Sequence, residues 1–187
     1  MTDKNVSIMN IGSMGYLPQV FKKIENEKKL NIVYLGGSIT MGCNATKTEL
    51  RYVDRSAKWW QTYFPDAEIS YFNAGIGATT SQFGVARVQE HVLDKQPDLV
   101  FVEFSVNDSS SPLFMETYES LVRRLLKAES VKAVVLINNL FYDTGTNAQG
   151  IHNAIGLHYD LPIVSVRNYI FPEIQLGNVC LADYTAD

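Results

Sequence analysis

Three short stretches of this chain hold residues whose types and spacing suit acyl transfer. Leu35-Gly-Gly-Ser38-Ile-Thr-Met-Gly42 places a hydroxyl behind two glycines, and Asn73-Ala-Gly-Ile-Gly77-Ala78-Thr-Thr-Ser81 is a turn of small residues. Glu103-Phe-Ser-Val-Asn107-Asp108 supplies a carboxamide. Acyl transfer needs a nucleophile that reaches a carbonyl carbon and N–H donors where the oxyanion forms. Gly36 and Gly37 let the backbone turn sharply, so that Ser38 is exposed with its own N–H beside it. A turn from Gly75 to Thr79 that opens a helix near Ser81 offers further free N–H groups. Asn107 adds a side-chain N–H.

Taken singly, each stretch has a plainer reading. Gly-Gly-Ser after a strand is most often a tight turn, and Asn107-Asp108-Ser109-Ser110 fits an Asx turn. Gly75-Ile-Gly77 matches the first two glycines of a dinucleotide fingerprint, but it lacks the third and follows the second strand. What sets the three apart is their placement. Asn31 to Gly36, Ala67 to Asn73, Asp98 to Phe104, Ala133 to Asn138 and Leu161 to Ser165 read as strands, and each of the three stretches ends one of the first three.

The first, third and fourth of these runs are nearly continuous in Val, Ile, Leu and Phe, the mark of strands covered on both faces. Segments of helical period lie between the runs: 56–64, 81–93, 114–128 and 147–158. In the third, Leu121, Val122, Leu125 and Leu126 share a face. Strands alternating with helices predict a five-stranded parallel sheet in a three-layer α/β/α sandwich, with the ligand at the strands' C-terminal ends. The 187 residues fit one domain.

Composition closes off other classes. Hydrophobic residues make up 46% and charged residues 19%, a globular balance. The net charge of −4 and the lack of a basic cluster argue against nucleic acid as partner. No apolar run approaches the roughly 20 residues of a membrane span. Cys43 and Cys180 form no CxxC pattern, so neither a disulfide framework nor a metal site is implied. Met1-Thr-Asp-Lys-Asn-Val does not read as a signal peptide, and the expected compartment is the cytoplasm.

The chain resembles the SGNH hydrolases, also called GDSL esterases and lipases, over nearly its whole length. The resemblance rests on Gly36-Gly-Ser38-Ile-Thr, on Asn73-Ala-Gly-Ile-Gly-Ala78-Thr-Thr-Ser continuing to Gly84-Val-Ala-Arg87, and on Val106-Asn107-Asp108. It implies a flavodoxin-like sheet, no metal or organic cofactor, and a serine esterase or lipase acting on a small-molecule or carbohydrate ester. Ser38 is then the nucleophile. The oxyanion hole is the N–H groups of Ser38 and Ala78 with the Asn107 side chain. Ala78 stands where the family has glycine, which matters little provided its φ is negative. The family's last block, Asp-x-x-His, is expected to begin at Asp187, with the histidine three residues beyond. A C-terminal helix is expected after that block. Without it, an apolar strip of the sheet is expected to be bare or covered by a neighbour.

The remaining residues have smaller parts. His91, His152 and His158 lie away from the strand ends and read as partly exposed structural histidines. Trp59 and Trp60 read as helix packing, with a sugar or acyl pocket as the other use. Arg51 and Tyr52, in the loop after the serine, are candidate substrate contacts. Asp108 is expected to fix the loop beside Asn107. Two rival functions stay open: an SGNH-like binding domain without a catalytic base, and a nucleotide- or flavin-binding domain.

Overall fold

The computed structural model describes residues 3–180. Its sheet centres on β2 (Lys29–Gly36), β4 (Leu99–Glu103) and β5 (Ala133–Asn138). β3 (Glu68–Gly75) flanks β2, and β6 (Ile163–Ser165) flanks β5. These five strands are parallel, in the order β3-β2-β4-β5-β6. The sheet has six strands rather than the expected five. β1 (Ile8–Asn10) adds an antiparallel edge against β6. Three residues with two of them exposed leave no readable alternation, which is why the sequence hid this strand.

Alternation along β2 splits the core. Leu30, Ile32 and Tyr34 face α1 (Leu17–Glu27) and α3 (Tyr52–Tyr63), meeting Val20, Ile24, Val53 and Trp60. Val33 and Leu35 face the opposite layer, α4 (Ser81–His91), α5 (Pro112–Leu126) and α6 (Gln149–His158), where Val88, Leu121, Val122, Leu125 and Ile155 pack. α3 starts one turn before the expected Ser56, because Val53, Ala57 and Trp60 form one buried stripe. Two further helices complete the fold, α2 (Ser38–Met41) and α7 (Val166–Gln175).

The expectation of a bare strip across the sheet is not met among the described residues. β2, β4 and β5 are covered on both faces, and the sheet's exposed large apolar side chains sit at its edges, Ile8 and Met9 on β1 and Tyr71 and Phe72 on β3.

The strand order reverses between β2 and β4, the switch point where the crevice of such a sheet opens. Gly36 is in register with Gly75 of β3 on one side and with Glu103 of β4 on the other. The three strands therefore end flush, and the stretches that follow them emerge side by side.

Candidate active site

Ser38 opens the four-residue helix α2 directly after Gly37. It is half-buried, and its N–H belongs to the first turn, which has no intrahelical acceptor. The two glycines are required by close approach. A Cβ on Gly36 would lie 2.0 Å from Thr40 Oγ1 and 2.5 Å from the Glu103 carbonyl, and one on Gly37 would lie 2.4 Å from Asn107 Oδ1. Asn73 braces the helix from β3, its Nδ2 donating to the Thr40 carbonyl at 2.8 Å and its Oδ1 accepting from the Gly75 N–H at 2.9 Å.

The turn after β3 reaches the same point. A Cβ on Gly77 would stand 4.0 Å from Ser38 Cβ, and the Thr79 carbonyl lies 3.3 Å from the position of one on Gly37. Thr79 Oγ1 closes the turn on the Ile76 carbonyl at 2.7 Å. Ala78 is exposed at its tip with φ +57°, in the left-handed region. The expected negative φ is therefore corrected: the position favours glycine, and alanine there stores about 1–2 kcal/mol of strain. Its N–H donates to no other described residue.

Asn107 completes the group from β4. It is half-buried, with Oδ1 against Gly37 and its backbone N–H on the Phe104 carbonyl at 3.0 Å. Its Oδ1 has no hydrogen-bond partner among the described residues. Behind it, Asp108 is buried and accepts two bonds, from the Ser81 N–H at 2.9 Å and from His152 Nε2 at 3.0 Å. Asp108 thus fixes its own loop, caps α4 and anchors α6 at once. His152 is fully buried rather than partly exposed, stacked on Tyr118 with ring centroids 3.6 Å apart. Burial holds its pKa below the usual histidine range, against the pull of Asp108.

A second polar cluster lies under the serine turn. Glu103 has no exposed surface, and burial pushes its carboxyl up to about 7. Oε1 accepts from Ser105 Oγ at 3.4 Å, while Oε2 is without a partner among the described residues. Thr40 Oγ1 shares a 2.8 Å hydrogen bond with the Tyr52 hydroxyl. The Tyr52 hydroxyl is thereby committed beneath α2, and burial raises its pKa. Arg51 forms a two-pronged ion pair with Asp54, at 2.6 Å and 3.1 Å, and its stem lies against Gly42 at the end of α2. Both side chains support the serine segment from behind.

Trp60 is core, and Trp59 is 45% exposed on the outer face of α3. His91 contacts Arg87 at 3.2 Å, and His158 is exposed beside Tyr159. Asp187 lies outside the described residues. Ser38, Gly77 to Thr79 and Asn107 are brought together. Glu103 and Arg87, beneath them, are buried ionisable side chains to which sequence reading gave no role. A carboxylate and a guanidinium in apolar strand and helix patterns look like surface residues until the packing is known. Among the described residues no cluster of His, Cys, Asp or Glu is arranged to hold a metal ion, and no helix is long and apolar enough to cross a membrane.

Comparison with known proteins bears on this arrangement. A two-domain esterase active on acetylated mannans, co-crystallised with mannopentaose, is 46% identical over 96% of this chain, with a TM-score of 0.93. Another structure of a two-domain esterase active on acetylated mannans is 44% identical over 98% of the chain, with a TM-score of 0.94. The chain spans 49% of the length of each. An acetylxylan esterase from Geobacillus stearothermophilus, crystallised as a catalytic mutant, shares the fold at 19% identity, with a TM-score of 0.68 over 84% of this chain and 86% of that one. No curated protein matches the chain. The sequence model of the GDSL-like lipase/acylhydrolase family matches residues 34–167, the span from β2 through β6 that carries all three strand-end stretches. With that match, the sheet order and the converging strand ends in agreement, the chain belongs to the GDSL-like lipase/acylhydrolase family, the SGNH hydrolases.

Proposed function

We infer that this domain is a serine esterase that removes acetyl groups from a carbohydrate, with acetylated mannan as the substrate class. The observation that carries the reading is the meeting of Ser38, the Gly77 to Thr79 turn and Asn107 at the switch point of the sheet. The substrate class is supported by the 46% identity to an esterase active on acetylated mannans.

In this reading the Ser38 hydroxyl attacks the acetyl carbonyl carbon and gives its proton to a histidine base. The C=O pair moves onto oxygen, and the oxyanion accepts from the N–H groups of Ser38 and Ala78 and from Asn107 Nδ2. Collapse breaks the bond to the sugar oxygen, which takes the proton from the histidine, and leaves acetyl on Ser38. Water, deprotonated by the same histidine, attacks the acyl-enzyme, and acetate departs as Ser38 recovers its proton. Family resemblance assigns the base to the Asp-x-x-His block expected at Asp187. Of the three described histidines, His152 is fully buried on Asp108, His91 sits on Arg87 and His158 ends α6 against Tyr159, so none is disposed to serve.

The test is acetate release from acetylated mannan by the full-length protein and its Ser38→Ala variant. Release that disappears in the variant supports the reading. Release that survives it overturns Ser38 as nucleophile. Mannan binding without any release favours a binding domain instead.

A further inference from the structure

Among the described residues, Arg87 is a buried cation without a carboxylate partner. It is 6% exposed, and none of the ion pairs among the described residues includes it. Its partners are instead two backbone carbonyls at the base of the site: Nη1 donates to Ala74 at 2.6 Å and Nη2 to Gly36 at 3.0 Å. The Phe83 ring lies 5.8 Å from the guanidinium carbon, and His91 Nδ1 accepts at 3.2 Å. Nε has no partner. Burial lowers the pKa to about 10, so the group remains charged at neutral pH.

A buried charge that lacks a counter-ion is costly, and an apolar side chain of similar volume fills such a space at less expense. Its geometry shows what an apolar residue cannot supply. The planar fork spans two acceptors that belong to neighbouring strands, one on β2 and one on β3. Gly36 lies two residues before Ser38, a reach of no more than about 7 Å. Ala74 lies four residues before Ala78. The Gly36 carbonyl also accepts the Ile76 N–H at 3.1 Å, so it is shared between the fork and the oxyanion turn. One side chain thus joins the roots of both loops from the α4 side of the sheet.

We propose that Arg87 is a positioning residue, whose fork on the Gly36 and Ala74 carbonyls sets the separation between the Ser38 hydroxyl and the Ala78 N–H. The proposal rests on the esterase reading above. Misplacing reacting groups by about 1 Å costs on the order of a hundredfold in rate. Substrate contacts made elsewhere are untouched, so the loss falls on kcat.

The experiment compares Arg87→Lys, Arg87→Met and Arg87→Ala in the full-length protein with an acetyl ester substrate. Lysine keeps the cation and the packed stem but is a point donor that cannot bond both carbonyls as the fork does. The expected result is a fall in kcat of about tenfold to a hundredfold in Lys and Met alike, with KM within about twofold and near-UV circular dichroism unchanged. Millimolar guanidinium, but not ammonium at the same ionic strength, is expected to restore part of kcat in Arg87→Ala. A Lys variant at wild-type kcat overturns the proposal. So does a parallel loss of kcat, KM and near-UV signal in all three, which marks a merely structural arginine. If the unmodified protein shows no turnover that depends on Ser38, the esterase reading fails instead, and the two failures are told apart.

Discussion

Asn107 and Glu103 stand four residues apart on one strand end and have opposite relations to water. Asn107 is half-buried, with its carbonyl oxygen against Gly37 and its amide nitrogen free to donate. Asn107→Ala in the full-length protein is expected to lower kcat about a hundredfold, some 3 kcal/mol of oxyanion stabilisation, with KM nearly unchanged. An unchanged kcat reduces Asn107 to a turn residue. Glu103 is sealed in, and its carboxyl is raised by burial from 4.5 to about 7. The folded state then holds this proton more tightly than the unfolded chain does. Glu103 therefore contributes stability that is fully present below about pH 4.5 and lost as pH rises through about 7. The loss is on the order of 3 kcal/mol. His152, with its pKa lowered by burial, runs the other way, losing stability as pH falls through the ordinary histidine range. Comparison with Glu103→Gln isolates the carboxyl. Urea unfolding at pH 5 and pH 8 is expected to show the variant gaining on the wild type at the higher pH. A constant difference between the two pH values refutes the assignment.

Among the elements, the turn joining β3 to α4 departs from what its residues prefer. Ala78 at φ +57° holds a conformation that glycine adopts freely. The strain is retained at a site whose exposed N–H is a proposed oxyanion donor, a common location for stored backbone strain. Ala78→Gly is expected to stabilise the fold by about 0.5–1 kcal/mol, the strain relieved less the extra freedom of the unfolded chain. Chemical denaturation measures this, and a destabilised variant shows the methyl group making contacts that outweigh the strain. The short helix α2 presents the complementary case. Its first residue is the serine, its approach is fixed by two glycines with no room for a Cβ, and its carbonyl side is tied to Asn73.

At the scale of the whole molecule, Asp108 links parts of the chain that the sequence keeps far apart. It sits after β4, caps α4 through Ser81 and meets His152 on α6, 44 residues away. Every member of this contact is buried, so removing the carboxylate strands an N–H and an imidazole together. Asp108→Ala is expected to cost about 2–4 kcal/mol. In a double-mutant cycle with His152→Phe the two losses should fall short of additivity by 1 kcal/mol or more, roughly the worth of their bond. Additive losses break the coupling.

How much of this was legible in the residues depends on range. Strand-forming runs such as Ala133 to Asn138 declare themselves because burial on both faces demands unbroken aliphatic side chains, and the α/β alternation follows. The convergence of Ser38, Gly77 and Asn107 at one edge also follows, since parallel strands present the same end to the same side. The three-residue edge strand β1 left no periodic signal, and the early start of α3 showed only as a stripe completed by Val53. Positive φ at Ala78 and the burial of the ionisable side chains of Arg87 and Glu103 are set by long-range packing. The turn must clear Ser38 and Met41, while a guanidinium or carboxyl is sealed by whichever elements close over it. The sequence by itself determined which residue types stand at the strand ends. The tertiary structure decided which of their neighbours are buried beneath them, because desolvation depends on contacts between segments distant along the chain.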